Sequence, residues 1–170
     1  FTVHTWTLEG EGTGSNPYIV ATAADLGKVW LRPSACYCLA GNLDLAGIFW
    51  SMAVVLSFSG VFDGQGYVIS HLTINQPNSV CVGLFGWIDG GEIKNLGVEN
   101  FNITGRSSVG GLVGCNYTGT LTNCYVAGSV SGTGDSSSVG GLVGRQGYYS
   151  MLTACYATGS VSGTGNKSFV

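Results

Sequence analysis

The sequence predicts an all-β fold, a right-handed parallel β-helix wound from glycine-rich coils of roughly 27–31 residues behind a short N-terminal cap. Three observations predict it. A seven-residue block, SVGGLVG, stands at Ser108–Gly114 and again, letter for letter, at Ser138–Gly144. The units it opens, 109–138 and 139–169, realign over their whole length, from VGGLVG to CY-x-x-GSVSGTG. The second unit is longer by one residue, which falls between the two matching halves, where a loop between strands absorbs it. The composition is 45% hydrophobic, only 9% charged, and holds 29 glycines, which suits short strands parted by tight corners. A unit of about 30 residues with three short strands cannot bury its own apolar face, whereas stacked copies can. Equivalent residues then lie about 4.8 Å apart along the axis.

The elements follow in order. Residues 1–30 are expected to form the N-terminal strand and cap. Within them Phe1–Glu9 (FTVHTWTLE) reads as a strand, and Thr22–Trp30 (TAADLGKVW) as one or two helical turns with Thr22 as N-cap. Residues 31–170 form the β-helix, about five coils, with repeats clearest at 82–108, 109–138 and 139–169. In the upstream segment Val82–Val98 (VGLFGWIDGGEIKNLGV), VGLFG corresponds to VGGLVG and Gly91–Val98 matches Gly119–Val126 position by position, and Phe58–Ile74 (FSGVFDGQGYVISHLTI) shares their texture. Inside a unit, Leu121–Val126 alternates apolar and polar residues as one strand and Gly128–Ser131 continues it. SVGGLVG reads as one wall of a coil, its glycines serving corners that need positive φ or close coil-to-coil approach.

Composition also excludes functions. Six basic residues, scattered from Lys28 to Lys167 in a chain of net charge -3, make no phosphate-binding patch, so no nucleic acid is expected. The glycines follow no G-X-Y period, which excludes collagen. The most apolar run, Gly47–Phe62, is broken by serines and glycine and falls short of the roughly 20 residues of a spanning helix, so no membrane insertion is expected. A chain that opens on Phe1 fits a processed secreted protein or a segment cut from a longer one.

The pattern VGGLVG-x-N-x-G-x-L-x-NCY-x-x-GSVSG resembles the GLUG repeat of large bacterial surface and secreted proteins. Phe58–Asn75, Val82–Val98 and Gly14–Leu26 resemble the segments that precede such repeats. The resemblance covers nearly the whole chain. It implies a parallel β-helix, export to an extracellular or cell-surface location, adhesin-like or cell-wall roles, and no catalytic residues. The chain departs from the pattern at Gly47–Ser57, where IFWSMAVVLS replaces an expected tryptophan–proline turn. The register of that coil therefore stays open.

Candidate sites are few. Cys124 and Cys155 hold the same repeat position and should stack on adjacent coils, as a disulfide or, the favoured reading, as a ladder of buried thiols. Cys36-Tyr-Cys38 is too tight for a zinc motif and lacks a second half. Asp44, Asp63 and Asp89 sit in turn signals, and nine acids spread along the chain form no catalytic pair for glycoside hydrolysis. His4 and His71 complete no triad, and His71 reads as a surface strand residue. No metal, cofactor or enzymatic activity is expected. Asn102, Asn116 and Asn166 open sequons and are candidate glycosylation sites. Tyr117, Tyr148 and Tyr149 lie in the variable loop, as ligand-facing aromatics for sugar rings or as cover for the side of the helix.

The functional expectation is a non-catalytic structural or adhesive β-helix, self-assembling end to end into a fibre or forming part of a longer adhesin. The alternative is a carbohydrate-active or carbohydrate-binding β-helix. The expected partners are further repeats or a second copy at the open C-terminal coil, Val161–Val170, and surface glycans.

Overall fold

The computed structural model describes residues 8–170. The strand expected at Phe1–Glu9, and His4 within it, lies outside the described residues except for Leu8 and Glu9, which are not in a strand.

The chain winds as a parallel β-solenoid with three faces. The first face is a six-stranded sheet of Tyr18–Val20, Cys36–Leu39, Val61–Asp63, Glu92–Lys94, Thr120–Thr122 and Met151–Thr153. The second has eight strands around the long Gly97–Gly110, which pairs Val68–Ser70 and Thr73–Val82 on one side and Tyr125–Gly132 and Val139–Gly140 on the other. The third holds Val55–Phe58, Phe85–Ile88, Val113–Asn116 and Val143–Gln146. A full turn crosses all three faces, so the four strands of the third count about four turns, fewer than the five expected.

Register explains the core. On the first face Tyr18, Tyr37, Phe62, Ile93, Leu121 and Leu152 occupy one column. From Phe62 onward each is the central residue of a three-residue rung whose flanking residues point out, as in the buried Ile93 between half-buried Glu92 and Lys94. This is the period-2 alternation of a half-buried strand. A second column runs Ile74, Ile103, Val130, Val161, and a third Val55, Phe85, Val113, Val143. Column spacing in sequence is uneven. It takes 31, 28 and 31 residues from Phe62 through Ile93 and Leu121 to Leu152, but only 19 from Tyr18 to Tyr37 and 25 from there to Phe62. The expected coil length therefore holds only from Phe62 onward. The solenoid also starts inside the segment assigned to the cap, because Tyr18–Val20 already pairs with Tyr37–Leu39.

The helical turn at the start is as expected. Helix Ala23–Leu26 follows Thr22, whose Oγ1 accepts from the Asp25 backbone N–H at 3.1 Å. A 3₁₀ turn, Val29–Leu31, completes the segment, and Leu26 and Val29 are buried against the first coils. The irregular stretch at Gly47–Ser57 is also placed. Phe49–Trp50 pairs Thr73–Ile74, and Val55–Phe58 pairs Phe85–Ile88.

Three local readings need correction. Leu121–Val126 is not one strand: it breaks at Asn123, whose φ of 56° turns the chain from the first face to the second. Asn95 does the same one coil earlier with φ 52°. Asparagine tolerates this left-handed conformation because its short amide bonds locally. Here the amides also bond along the axis: Asn123 Nδ2 donates to Asn95 Oδ1 at 3.0 Å, and Asn95 Nδ2 to Asp63 Oδ1 at 3.1 Å. Ala154 takes the same corner at φ 51° without an amide. His71, likewise, is a corner residue at φ 57° rather than a strand residue.

SVGGLVG is not a wall but the turn from the second face to the third, which ends one strand at Gly110 and opens the next at Val113. Its glycines do not use positive φ; they supply close approach. A Cβ on Gly114 would lie 2.3 Å from the carbonyl carbon of Cys81, and one on Gly144 2.4 Å from that of Ser108, both in the coil before.

Candidate functional site: an aromatic and arginine cleft

The third face leads into a loop where the two repeats differ most. In the first unit the chain leaves Val113–Asn116 through Tyr117, Thr118 and Gly119. In the second it leaves Val143–Gln146 through Gly147–Ser150, which carries the extra residue. Gly147 binds the earlier loop through its N–H, which donates to the Asn116 carbonyl at 2.6 Å. A Cβ there would meet the Tyr117 carbonyl oxygen at 2.4 Å, so glycine is required for this approach. Ser150 closes the turn by donating its Oγ–H to the Gly147 carbonyl at 2.6 Å. The turn lifts Tyr148 and Tyr149 clear of the wall, at 105% and 85% exposure.

Below them the aromatic rings are ordered along the axis. Tyr117 stacks on Trp87 of the preceding coil with centroids 4.5 Å apart and planes 14° from parallel. The Arg145 guanidinium lies 5.9 Å from the Tyr117 ring centroid, in cation–π range. Tyr117, Thr118, Arg145, Gln146, Tyr148 and Tyr149 line a cleft of about 310 Å³, with Asn116 and Gly147 at its base. The loop tyrosines singled out in the sequence thus meet at one place. Arg145 and Gln146 were missed. Their only sequence signal is that the second repeat replaces Cys115-Asn116 by Arg145-Gln146 at the same register.

Asn116 is not available for glycosylation in the folded chain. It is 0% exposed, its Nδ2 donates to the Gly119 carbonyl at 3.2 Å, and its Oδ1 accepts from the Gly119 N–H at 2.9 Å. It occupies the core column of Phe58 and Ile88, and these two bonds satisfy the amide there. Asn102, on the outer side of the second face, and Asn166 are exposed.

Cys124 and Cys155 stack as thiols, not as a disulfide. The Cys124 N–H donates to Cys155 Sγ at 3.4 Å, and each thiol donates to the carbonyl two residues before it at 3.3 Å. Burial pushes the Cys124 thiol up to about 12, which keeps it protonated and inert at neutral pH. The disulfide is elsewhere, between Cys81 and Cys115, with Cα atoms 5.2 Å apart. Cys81 precedes VGLFG and Cys115 follows VGGLVG, so repeat alignment does not bring them together; only coil stacking does. Complete alkylation of the unfolded, unreduced protein is expected to add four adducts by intact mass, at Cys36, Cys38, Cys124 and Cys155, and six after reduction. An adduct on Cys81 or Cys115 before reduction contradicts this pairing.

The carboxylates brace turns. Asp44 Oδ1 accepts from the Ala46 N–H at 2.9 Å and pairs with His71 Nδ1 at 2.8 Å. The Ala46 bond first, and His71 second, hold its carboxyl below the usual range. Asp63 Oδ1 accepts from the Gln65 N–H at 2.9 Å, and Asp89 Oδ1 from Thr118 Oγ1 at 2.7 Å. Among the described residues no group of three or more His, Cys, Asp or Glu side chains is placed to hold a metal ion, and no helix is long and apolar enough to cross a membrane.

Comparison with known proteins agrees with this architecture. Halomucin of Haloquadratum walsbyi is 32% identical over 153 residues, which cover 79% of this chain and 2% of Halomucin. A Gly-rich protein of Evansella cellulosilytica, named as a candidate membrane protein, is 34% identical over 131 residues, 69% of this chain and 15% of that protein. The chain therefore spans a small fraction of the length of these relatives. Among solved structures, a candidate immunoglobulin A1 protease of Bacteroides ovatus superposes with a TM-score of 0.64 at 21% identity, over 91% of this chain and 60% of that one. That likeness is one of fold. The GLUG motif matches residues 105–131 and 135–162, the units whose coils carry the cleft, so the chain carries two adjacent GLUG repeats.

Proposed function

We propose that the chain is a non-catalytic structural and adhesive segment of an extracellular surface protein, a stiff rod that holds its loops away from the surface. The observation that carries this reading is the unbroken column from Tyr18 to Leu152. Each coil is hydrogen-bonded in parallel register to the coils before and after it. Such a stack keeps a fixed rise per coil and places loop residues at defined heights. The lengths of the relatives, of which this chain spans 2% and 15%, support a segment of a larger protein, and one of them is named for a membrane. Its partners in this reading are further coils, or a second copy, paired to the edge of Tyr156–Gly163, and the glycans of the surface it meets.

Antibodies raised against the solenoid are expected to label intact source cells, and blocking with them to reduce attachment to a glycan-coated surface. Labelling only after permeabilisation sinks the surface location. Labelling with unchanged attachment sinks the adhesive role.

A further inference from the structure

We infer that the cleft between the two GLUG coils binds an acidic saccharide, one uronate unit of a polysaccharide chain, through Tyr148, Tyr149, Tyr117 and Arg145. This deepens the adhesive reading by naming the ligand class, and relies on that reading only for where the ligand is met.

The chemistry of the lining selects the ligand. Tyr148 and Tyr149 are almost wholly exposed on a turn fixed by Gly147 and Ser150. Tyrosine offers a flat apolar face at low conformational cost together with a hydroxyl at its edge. The C–H face of a pyranose ring and its rim of hydroxyls match those two features. A volume of about 310 Å³ lies at the small end of ligand sites, which suits one sugar unit in a cleft open to the rest of its polymer.

Arg145 supplies the charge preference. Among the described residues the lysine–carboxylate pairs are Lys28–Asp25 and Lys94–Glu92, His71 contacts Asp44, and Arg145 has no carboxylate partner. Its guanidinium is exposed and leans on the Tyr117 ring, which Trp87 backs from the other coil. A planar fork held on an aromatic face is suited to a carboxylate taken in bidentate fashion. Asp89, which is not part of the lining, accepts from Thr118 Oγ1. Gln146 adds an amide able to donate and accept with ring hydroxyls. Cation and aromatics together favour a sugar acid over a neutral sugar, which leaves the cation unused, and over an acidic peptide, which leaves the exposed tyrosine faces unused.

The test is isothermal titration of the folded chain with oligogalacturonate, with its methyl ester, with a neutral galactan oligomer and with oligoglutamate. Binding is expected for oligogalacturonate alone, and should weaken as salt is raised, because the pair is solvent-exposed. Loss of one charge-assisted contact by Arg145→Gln should weaken it about tenfold or more. The double variant Tyr148→Ala with Tyr149→Ala should do the same. Both substitutions are at exposed positions, and unchanged thermal unfolding shows that the solenoid is intact. No oligogalacturonate binding, equal binding of the ester or of oligoglutamate, or binding indifferent to both variants overturns the proposal. Absence of binding by a chain whose antibodies label intact cells and reduce attachment would overturn this ligand while leaving the surface role in place.

Discussion

Gly114→Ala is expected to destabilise the solenoid by about 2–3 kcal/mol or more, the upper range for overpacking a core. A methyl group is small, but the atoms it meets cannot step aside. Its Cβ would stand 2.3 Å from the Cys81 carbonyl carbon, 2.5 Å from the Val82 nitrogen and 2.7 Å from the Cys81 Cα. All three are backbone of the preceding coil. Relief requires the coils to part where Val113 and Cys115 are in register with Phe85 and Trp87, and where the Cys81–Cys115 disulfide holds the two coils together. Gly41→Ala is the control, because a Cβ there meets nothing within 4 Å and φ is not positive. That change should be neutral or stabilising by about 0.5 kcal/mol, through the unfolded chain. Urea unfolding of the two variants measures the difference. Equal midpoints would mean that the repeated glycines are not selected by coil-to-coil approach.

Gly114 also shows what the sequence could and could not reveal. The letter-for-letter repeat of SVGGLVG gave the solenoid and its coil length, because stacked coils place identical demands on identical positions. It did not say what the demand was. Wall and corner are spelled alike when both consist of glycine and valine, and only the strand ends at Gly110 and Val113 separate them. Asn123 was misread for a related reason. An outward asparagine in an alternating run fits a strand as well as it fits a left-handed corner, and the amide column to Asn95 and Asp63 appears only when coils are superposed. The early coils were the least legible. Their steps shrink to 25 and 19 residues, so no fixed period reaches back to Tyr18. In the site, the one-residue difference between repeats marked the loop that carries Tyr148 and Tyr149. Arg145 sits at the register of a disulfide cysteine, and nothing in single-chain spacing joins it to Tyr117.

Phe62→Ala is expected to cost about 3–5 kcal/mol, the range for truncating a buried phenylalanine. Phe62 is fully buried where the column of the first face changes from aromatic to aliphatic residues. Its ring centroid lies 5.4 Å from that of Phe85, 6.4 Å from Tyr37 and 6.5 Å from Phe58. Those neighbours belong to strands locked in register, so they cannot collapse into the space left, and the cavity remains. Leu152→Ala, in the same column but 40% exposed, should cost much less. Position along the rod adds a second expectation. Stability in a solenoid is close to a sum of coil and neighbour-interface terms. A cavity at Phe62 weakens the interface between the coil of Tyr37 and the coil of Ile93, so the first coils should unfold before the GLUG coils. The urea transition of the variant should therefore broaden or split when followed by tryptophan fluorescence, since Trp30 and Trp50 report on the first coils and Trp87 on the later ones. A single shifted transition of unchanged slope would instead show that the coils unfold as one unit, and that the aromatic cluster is not the joint between them.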